Sequence, residues 1–143
     1  MKEYISNSEK ETAELASQLA GQLKGGELLA LYGNLGAGKT VFVQALANAL
    51  GVKEKITSPT FVLMKVYDIK YQQADKFVHV DCYRLNGQED LLDIGLGDYL
   101  NYDNIIVAIE WADKIKLLPD NTIRVQMELL GENKRKIIID SPH

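Results

Sequence analysis

Residues 28–40 read Leu-Leu-Ala-Leu-Tyr-Gly-Asn-Leu-Gly-Ala-Gly-Lys-Thr, and no other stretch says as much about the architecture. It opens with a continuously apolar run, Leu28–Tyr32, which is typical of a strand buried on both faces. Gly33–Thr40 then matches the pattern Gly-x-x-x-x-Gly-Lys-Thr, and apolar residues at helical spacing follow as far as Gly51. This order predicts a nucleotide-phosphate site, because backbone N–H groups and a helix N-terminus both attract anions.

The loop pattern assigns a role to each of its fixed residues. Its glycines permit a tight backbone path in which successive N–H groups point inward at a β-phosphate. Lys39 is expected to reach the β- and γ-phosphate oxygens, and the Thr40 hydroxyl is expected to complete the shell of a Mg²⁺ ion. The expected cofactors are therefore ATP and Mg²⁺. The predicted nucleotide-binding residues of the loop are Gly33, Gly36, Ala37, Gly38, Lys39, Thr40 and Val41.

Hydrolysis also needs a carboxylate that holds the magnesium ion or its waters. Glu110 follows the apolar run Ile105–Ile109, which places it at the carboxyl end of a buried strand, where open α/β folds bind ligands. Asp81 follows a second apolar run and is the other strand-borne candidate. For both residues the alternative is a surface carboxylate without a function. Trp111 is interpreted as a packing residue. His79 is interpreted as a strand residue without a chemical role, and the alternative is a titratable side chain that acts two residues from Asp81.

The segment Ser58–Phe61 lies between the loop helix and the next extended pattern. One interpretation is a turn imposed by Pro59. The other is a switch-like loop in which the Thr60 hydroxyl senses the γ-phosphate or the magnesium ion, by analogy with other phosphate-loop proteins. With Thr60 included on that interpretation, the predicted catalytic residues are Lys39, Thr60, Asp81 and Glu110. The predicted metal ligands are Thr40, Asp81 and Glu110.

Helices and hairpins are predicted on both sides of this stretch. Ser8–Glu11 is a capping box that opens an amphipathic helix, which Gly25-Gly26 should stop. The extended patterns that follow the loop helix form two hairpins, and short helical pieces lie between them. The first hairpin comprises Thr60–Tyr67 and Phe77–Tyr83 around a polar turn at Ile69–Asp75; the helical pieces are Gln88–Leu92 and Leu96–Leu100; the second hairpin comprises Thr122–Leu129 and Lys136–Asp140 around Gly131–Lys134.

These elements predict one domain over residues 1–143, an α/β phosphate-loop NTPase with three layers and a mixed parallel and antiparallel sheet. The net charge of −4, with only three arginines, argues against direct binding to DNA or RNA, because phosphate backbones are held by Lys and Arg. No signal peptide or membrane span is recognised, and the single cysteine fits a reducing compartment. We therefore expect a cytoplasmic protein that associates with neither DNA nor a membrane.

Four strings together resemble one family, and the similarity extends from Glu9 to the last hairpin. The family is TsaE, small bacterial ATPases required for threonylcarbamoyladenosine modification of tRNA. The phosphate loop is common to many families, whereas the other three strings in this order are specific. The strings are Gly33–Thr40, Ser58–Phe61, His79–Leu85 and Ile109–Trp111.

The resemblance implies roles for individual residues. Thr40 and Glu110 would serve the Mg²⁺ site, Asp81 would belong to the same catalytic neighbourhood, and Trp111 would lie close enough to report nucleotide binding. The start of the first helix and the tip of the last hairpin would approach the adenine or the ribose. The residues implied at those two places are Glu9, Thr12 and Lys134.

The resemblance also implies partners. In the family's system, TsaD with TsaB transfers the threonylcarbamoyl group to adenosine 37 of tRNA. The TsaE-like member hydrolyses ATP on that complex and resets it between turnovers. The tRNA would then be met only indirectly, through the partner proteins, which agrees with the acidic composition of this chain.

Three other functions remain open at this point. A small-molecule kinase shares the phosphate loop but usually closes an arginine-bearing lid over its substrates, and no arginine-rich insertion is present. A GTP-dependent switch would carry an Asn-Lys-x-Asp string, which the chain lacks. A nucleotide-gated binding module would bind ATP without turnover of its own.

Overall fold

The computed structural model describes residues 1–33, 38–56, 64–82, 96–100, 102–115 and 118–142. Within these ranges seven strands form one sheet, in the order β1-β7-β6-β2-β5-β4-β3. Two α-helices and two short 3₁₀ helices, Leu96–Tyr99 and Ala112–Lys114, accompany the sheet. The elements are β1 Lys2–Ser6, α1 Glu9–Ala20, β2 Leu28–Tyr32, α2 Lys39–Ala49, β3 Met64–Tyr71, β4 Ala74–Asp81, β5 Ile105–Glu110, β6 Ile123–Leu129 and β7 Arg135–Asp140.

The centre of the sheet is parallel and its two edges are antiparallel. Strands β6, β2, β5 and β4 run in the same direction, whereas β3 pairs antiparallel with β4, and β7 pairs antiparallel with both β6 and β1. Every residue of β5 is buried, as expected of a central parallel strand with both faces covered. The predicted mixed sheet is confirmed.

Two apolar cores lie on opposite faces of the sheet. On one face, Leu31 of β2 and Ala108 of β5 join a core with the buried sides of α1 and α2. On the other face, Val80 of β4 and Ile109 of β5 pack with Leu96, in the first 3₁₀ helix, and its neighbours. The alternation of side chains along each strand separates the two cores. The predicted three-layer α/β architecture is thus confirmed.

Helix α1 starts where the capping pattern predicts and ends earlier than expected. The Glu11 N–H donates to Ser8 Oγ at 3.1 Å, as in a capping box. The Glu11 carboxylate accepts from the N–H of Asn7, whereas a capping box would use the N–H of Ser8. The helix ends at Ala20, not at the predicted Gly25-Gly26. Tighter i→i−3 bonds continue the turn as far as Leu23, which therefore stays buried beyond the helix.

The first hairpin has a shorter turn than predicted, because most of the residues predicted as its polar turn belong to the two strands. Strand β3 continues to Tyr71 and β4 begins at Ala74, so the turn consists of Gln72 and Gln73. Strand β3 lies at the sheet edge, where buried Ile69 alternates with exposed Asp68 and Lys70, and that alternation was mistaken for a turn. Residues 57–63, including the predicted start of this hairpin, lie outside the described ranges, as does Gln88–Leu92.

Strand β1 was not predicted. It has only five residues, most of them exposed, and it pairs with β7 at the sheet edge, where Tyr4 lies opposite Ile137. The second hairpin is confirmed as β6 and β7. In the described part of the chain, no helix is long and apolar enough to cross a membrane.

Candidate functional site

Two glycines frame the phosphate loop, one after β2 and one before α2. Gly33 has φ of 144° and Gly38 has φ of 94°, values that L side chains rarely adopt. A Cβ atom at Gly38 would also lie 3.4 Å from Met127 Cε and 3.5 Å from Arg135 Nε. Glycine at position 38 is therefore favoured by the backbone conformation, whereas an added Cβ would make only ordinary van der Waals contact with these two side chains. The predicted contacts of Gly36 and Ala37 lie outside the described residues.

Lys39 is the first residue of α2, and its side chain is enclosed by the site. Its ammonium group donates to the Gly33 carbonyl and lies 3.4 Å from the centroid of the Trp111 ring. Burial lowers the pKa of Lys39, and the negative charges of Glu110, Asp113 and Asp81 only partly oppose that shift. The loop lysine is thus a cation held in a partly desolvated place.

Trp111 follows β5 directly and turns the chain sharply at the strand end. Its φ of 60° and ψ of 43° lie in the left-handed region, which is uncommon for a residue with a large side chain. Such a conformation costs on the order of 1 kcal/mol and persists where the surrounding structure enforces it. The indole of Trp111, interpreted from the sequence alone as packing, lies against the phosphate-loop lysine.

The two predicted carboxylates end neighbouring parallel strands. Asp81 of β4 and Glu110 of β5 are register partners, and Glu110 also pairs with Leu31 of β2, two residues before the loop. Glu110 is only 2% exposed, and Asp81 is partly exposed. The Thr40 hydroxyl donates to Glu110 Oε1 at 3.4 Å. The structure therefore brings Lys39, Thr40, Asp81, Glu110 and Trp111 together at the carboxyl edge of the sheet.

His79, which the sequence favoured as a strand residue without a chemical role, is a further member of this group. Its Nε2 lies 2.6 Å from Glu110 Oε2, and both side chains are almost completely buried. The contact crosses from β4 to β5. His79 shares a strand and a face with Asp81, two residues later, but only the strand register brings it to Glu110.

The three residues that the resemblance implied near the adenine or the ribose differ from one another in burial. Glu9 is exposed at the start of α1, whereas Thr12 is buried and its hydroxyl lies 2.7 Å from Ser6 Oγ. Lys134 is exposed and immediately precedes β7. The hydrogen bonds of Thr12 among the described residues join it to Ser6 and Ser8, at the entry to α1.

Arg135, the first residue of β7, lies close to the phosphate loop at Gly38. It is the register partner of Ser6 in β1, and its Nε is close to the Cβ position of Gly38. The second hairpin thus borders Gly38, the last residue before α2, through Arg135. Val41, in the first turn of α2, is half-buried, and Thr60 lies outside the described residues.

The oxygen atoms of this site fit a magnesium ion that is held mainly by nucleotide phosphates. Thr40 Oγ1 and Glu110 Oε1 are hard ligands within 3.4 Å of each other, and the Asp81 carboxylate ends the adjacent strand. Among the described residues, no group of three or more His, Cys, Asp and Glu side chains could hold a metal ion without such help. That donor set suits Mg²⁺ with a polyphosphate better than a metal held entirely by protein.

Comparisons with known proteins agree on one family. A family model described as "Threonylcarbamoyl adenosine biosynthesis protein TsaE" matches residues 6–137. The tRNA threonylcarbamoyladenosine biosynthesis protein TsaE of Aquifex aeolicus is 42% identical over 141 residues, which are 97% of this chain and 96% of that protein. The protein of the same name from Treponema pallidum is 36% identical over 136 residues, which are 94% and 97% of the two chains.

One solved structure extends the likeness to three dimensions. The crystal structure of Bacillus subtilis YdiB superposes with a TM-score of 0.73 at 27% sequence identity. The superposition covers 99% of this chain and 86% of that one. The similarity is therefore distributed over the whole domain and is not confined to the phosphate loop.

Proposed function

The chain belongs to the TsaE family, with a role in tRNA threonylcarbamoyladenosine biosynthesis, and we propose that its part in that process is to bind Mg-ATP and hydrolyse it. The observation that carries the proposal is the convergence of the loop lysine, the Thr40 hydroxyl and the Glu110 carboxylate at one edge of the sheet. A phosphate-binding cation and an oxygen site for magnesium are the two parts that phosphoryl transfer requires.

Lys39 has the task of binding the β- and γ-phosphate oxygens. Its ammonium group is buried against Trp111 and the Gly33 carbonyl, and burial lowers its pKa. A polyphosphate adds its negative charge to that of the nearby carboxylates, so nucleotide binding further stabilises the charged lysine. The backbone of the loop and the N-terminus of α2 add to the attraction.

Thr40 and Glu110 would hold the metal ion, and Asp81 would complete the acidic edge beside them. When bound, Mg²⁺ neutralises charge on the phosphoryl group that is transferred to water. Burial of Glu110 keeps its carboxylate in one place and limits the access of bulk water to it. Thr60 retains the role of sensing the γ-phosphate.

ATP hydrolysis takes place on the complex of TsaD and TsaB, and the chain contacts tRNA only indirectly, through those partners. The composition supports this division, because a net charge of −4 with only three arginines does not favour binding to a nucleic-acid backbone. A site whose lysine is engaged with Trp111 before nucleotide arrives suits a weak ATPase that depends on its partners. Hydrolysis then resets the complex between turnovers.

A comparison of ATP hydrolysis by the chain alone with hydrolysis in the presence of TsaD and TsaB tests the proposal. We expect slow ATP turnover by the chain alone and a several-fold higher rate with the partners. The Glu110→Ala variant should hydrolyse ATP neither alone nor with the partners. Tight ATP binding without any turnover in the complex would instead indicate a binding module. A phosphorylated acceptor would indicate a kinase, and preference for GTP would indicate a nucleotide switch.

A further inference from the structure

The His79–Glu110 contact has features that packing alone does not explain. Both side chains are buried, and the Nε2 to Oε2 distance of 2.6 Å is that of a strong, charge-assisted hydrogen bond. A carboxylate oxygen accepts, so the tautomer that fits this contact has its proton on Nε2. The remaining ring nitrogen, Nδ1, is buried and has no hydrogen-bond partner in the described part of the structure.

That unpartnered nitrogen argues against His79 as a space-filling residue. A buried polar atom without a partner is unfavourable, and a leucine could fill a similar volume without one. Ala108, the residue paired with His79 in β5, has only a methyl side chain, and Glu110 follows two residues later on the same face. The imidazole reaches along this diagonal to the one carboxylate available on that face of the described β5.

The two oxygens of Glu110 have different partners. Oε2 is bound to His79, and Oε1 lies 3.4 Å from the Thr40 hydroxyl. A carboxylate fixed by one oxygen cannot rotate freely about its terminal bond, so the other oxygen remains facing the start of α2. Among the described residues, His79 is the side chain that holds Oε2 in place.

We propose that His79 is the positioning residue of the magnesium site: by holding Glu110 Oε2, it presents Oε1 to a metal ion bound beside Thr40. The inference rests on the proposed function, because it assumes that Mg-ATP binds at this site. Removal of an outer partner of a metal ligand typically lowers metal affinity by about 10- to 100-fold. His79 itself touches neither nucleotide nor metal.

Three substitutions separate positioning from packing. His79→Leu keeps an apolar volume and removes the donor. His79→Gln places an amide donor the same number of bonds from Cα as Nε2, whereas His79→Asn places its amide where the unused Nδ1 lies. Tyr67→Phe is the matched control, because Tyr67 Oη is also buried without a partner among the described residues and lies on the adjacent strand.

The measurement is a titration of Trp111 fluorescence in two arms, ATP without metal and then Mg²⁺ at saturating ATP. We expect His79→Leu and His79→Asn to raise the Mg²⁺ concentration at half-saturation by about tenfold or more, while the affinity for metal-free ATP changes little. His79→Gln should restore most of the Mg²⁺ affinity, and Tyr67→Phe should resemble the unmodified chain. An unchanged Mg²⁺ titration in folded His79→Leu would overturn the inference.

A second readout leaves His79 and Glu110 unchanged. In the His143→Gln chain, His79 is the single histidine. Nitrogen-detected NMR should then show an Nε2-bound proton that exchanges slowly with solvent; a proton on Nδ1 with a bare Nε2 would refute the inference. If the unmodified chain does not bind Mg-ATP at all, the proposed function fails first. If it binds and the His79 variants bind magnesium equally well, only the positioning role fails.

Discussion

Lys39 and Trp111 face each other in the phosphate site, with the ammonium nitrogen 3.4 Å from the centroid of the indole ring. Trp111 adopts a left-handed backbone conformation at the end of β5, and Lys39 opens α2. The contact therefore joins the acidic edge of the sheet to the phosphate loop. It makes the single tryptophan of the chain a natural reporter of what happens to the lysine.

The first prediction concerns that reporter. ATP should draw the Lys39 ammonium from the indole toward phosphate and change the Trp111 emission. Lys39→Met should alter the emission of the free protein, because the cation is gone, and should abolish the response to ATP. Steady-state fluorescence measures both. A normal ATP response in Lys39→Met would show that the contact does not report on nucleotide.

The second prediction is a pH dependence of ATP binding. Burial lowers the Lys39 pKa in the free protein, and bound phosphates raise it by stabilising the charged form. Below the pKa of Lys39 in the free protein, the lysine is charged both in the free and in the ATP-bound protein, so the affinity for ATP is highest there. Affinity falls as pH rises through the free-state pKa, because binding must then take up a proton.

Calorimetry in buffers of different ionisation enthalpy should detect this proton uptake on the alkaline side. Lys39→Met serves as the control, since residual binding by that variant should lose the uptake. Proton release on binding in the same pH range would contradict the assignment.

The third prediction separates backbone strain from ligand binding at two glycines. Gly38→Ala places a Cβ at φ of 94° against Met127 and Arg135, and we expect a loss of about 1–3 kcal/mol in unfolding free energy with loss of ATP affinity. Gly51→Ala is matched, with φ of 100° and nothing within 4 Å of the added Cβ. It should be destabilised by about 1 kcal/mol and bind ATP normally. Equal ATP affinity in the two variants would contradict a phosphate role for the loop.

The fourth prediction compares neighbouring cations at the start of β7. Arg135 lies beside Gly38, whereas Lys134 is exposed. Arg135→Met should weaken ATP binding several-fold more than Lys134→Met, because a positive charge near the loop interacts more strongly with phosphates than one in solvent. Equilibrium titration of both variants with ATP decides this. A larger loss in Lys134→Met would favour the position that the resemblance implied.

The sequence was most informative where function depends on local order. The strand, glycine loop and helix around Lys39 follow one another directly, so their spacing alone predicts the phosphate site. Glu110 was identified because a buried strand ends at it, and the structure places that end beside the loop. Asp81 was a candidate for the same reason, and the resemblance added Trp111 as a residue close to the nucleotide.

What the sequence did not predict depends on contacts between distant segments. His79 meets Glu110 only because β4 and β5 are parallel and in a particular register. Arg135 reaches Gly38 only because β7 pairs antiparallel with β6, a neighbour of β2. Strand β1 was missed because a short, mostly exposed edge strand has little apolar periodicity.

The central claim is that the site formed by Lys39, Thr40 and Glu110 hydrolyses ATP in support of tRNA threonylcarbamoylation. The most direct test is tRNA modification reconstituted with TsaD, TsaB and the adenylate-forming enzyme, over many turnovers, with this chain unmodified, absent or carrying Glu110→Gln. Glu54→Gln, at an exposed carboxylate after α2, is the matched control. The account predicts sustained modification with the unmodified chain and with Glu54→Gln, and an arrest after early turnovers in the other two reactions; sustained modification with Glu110→Gln, or without the chain, would contradict it.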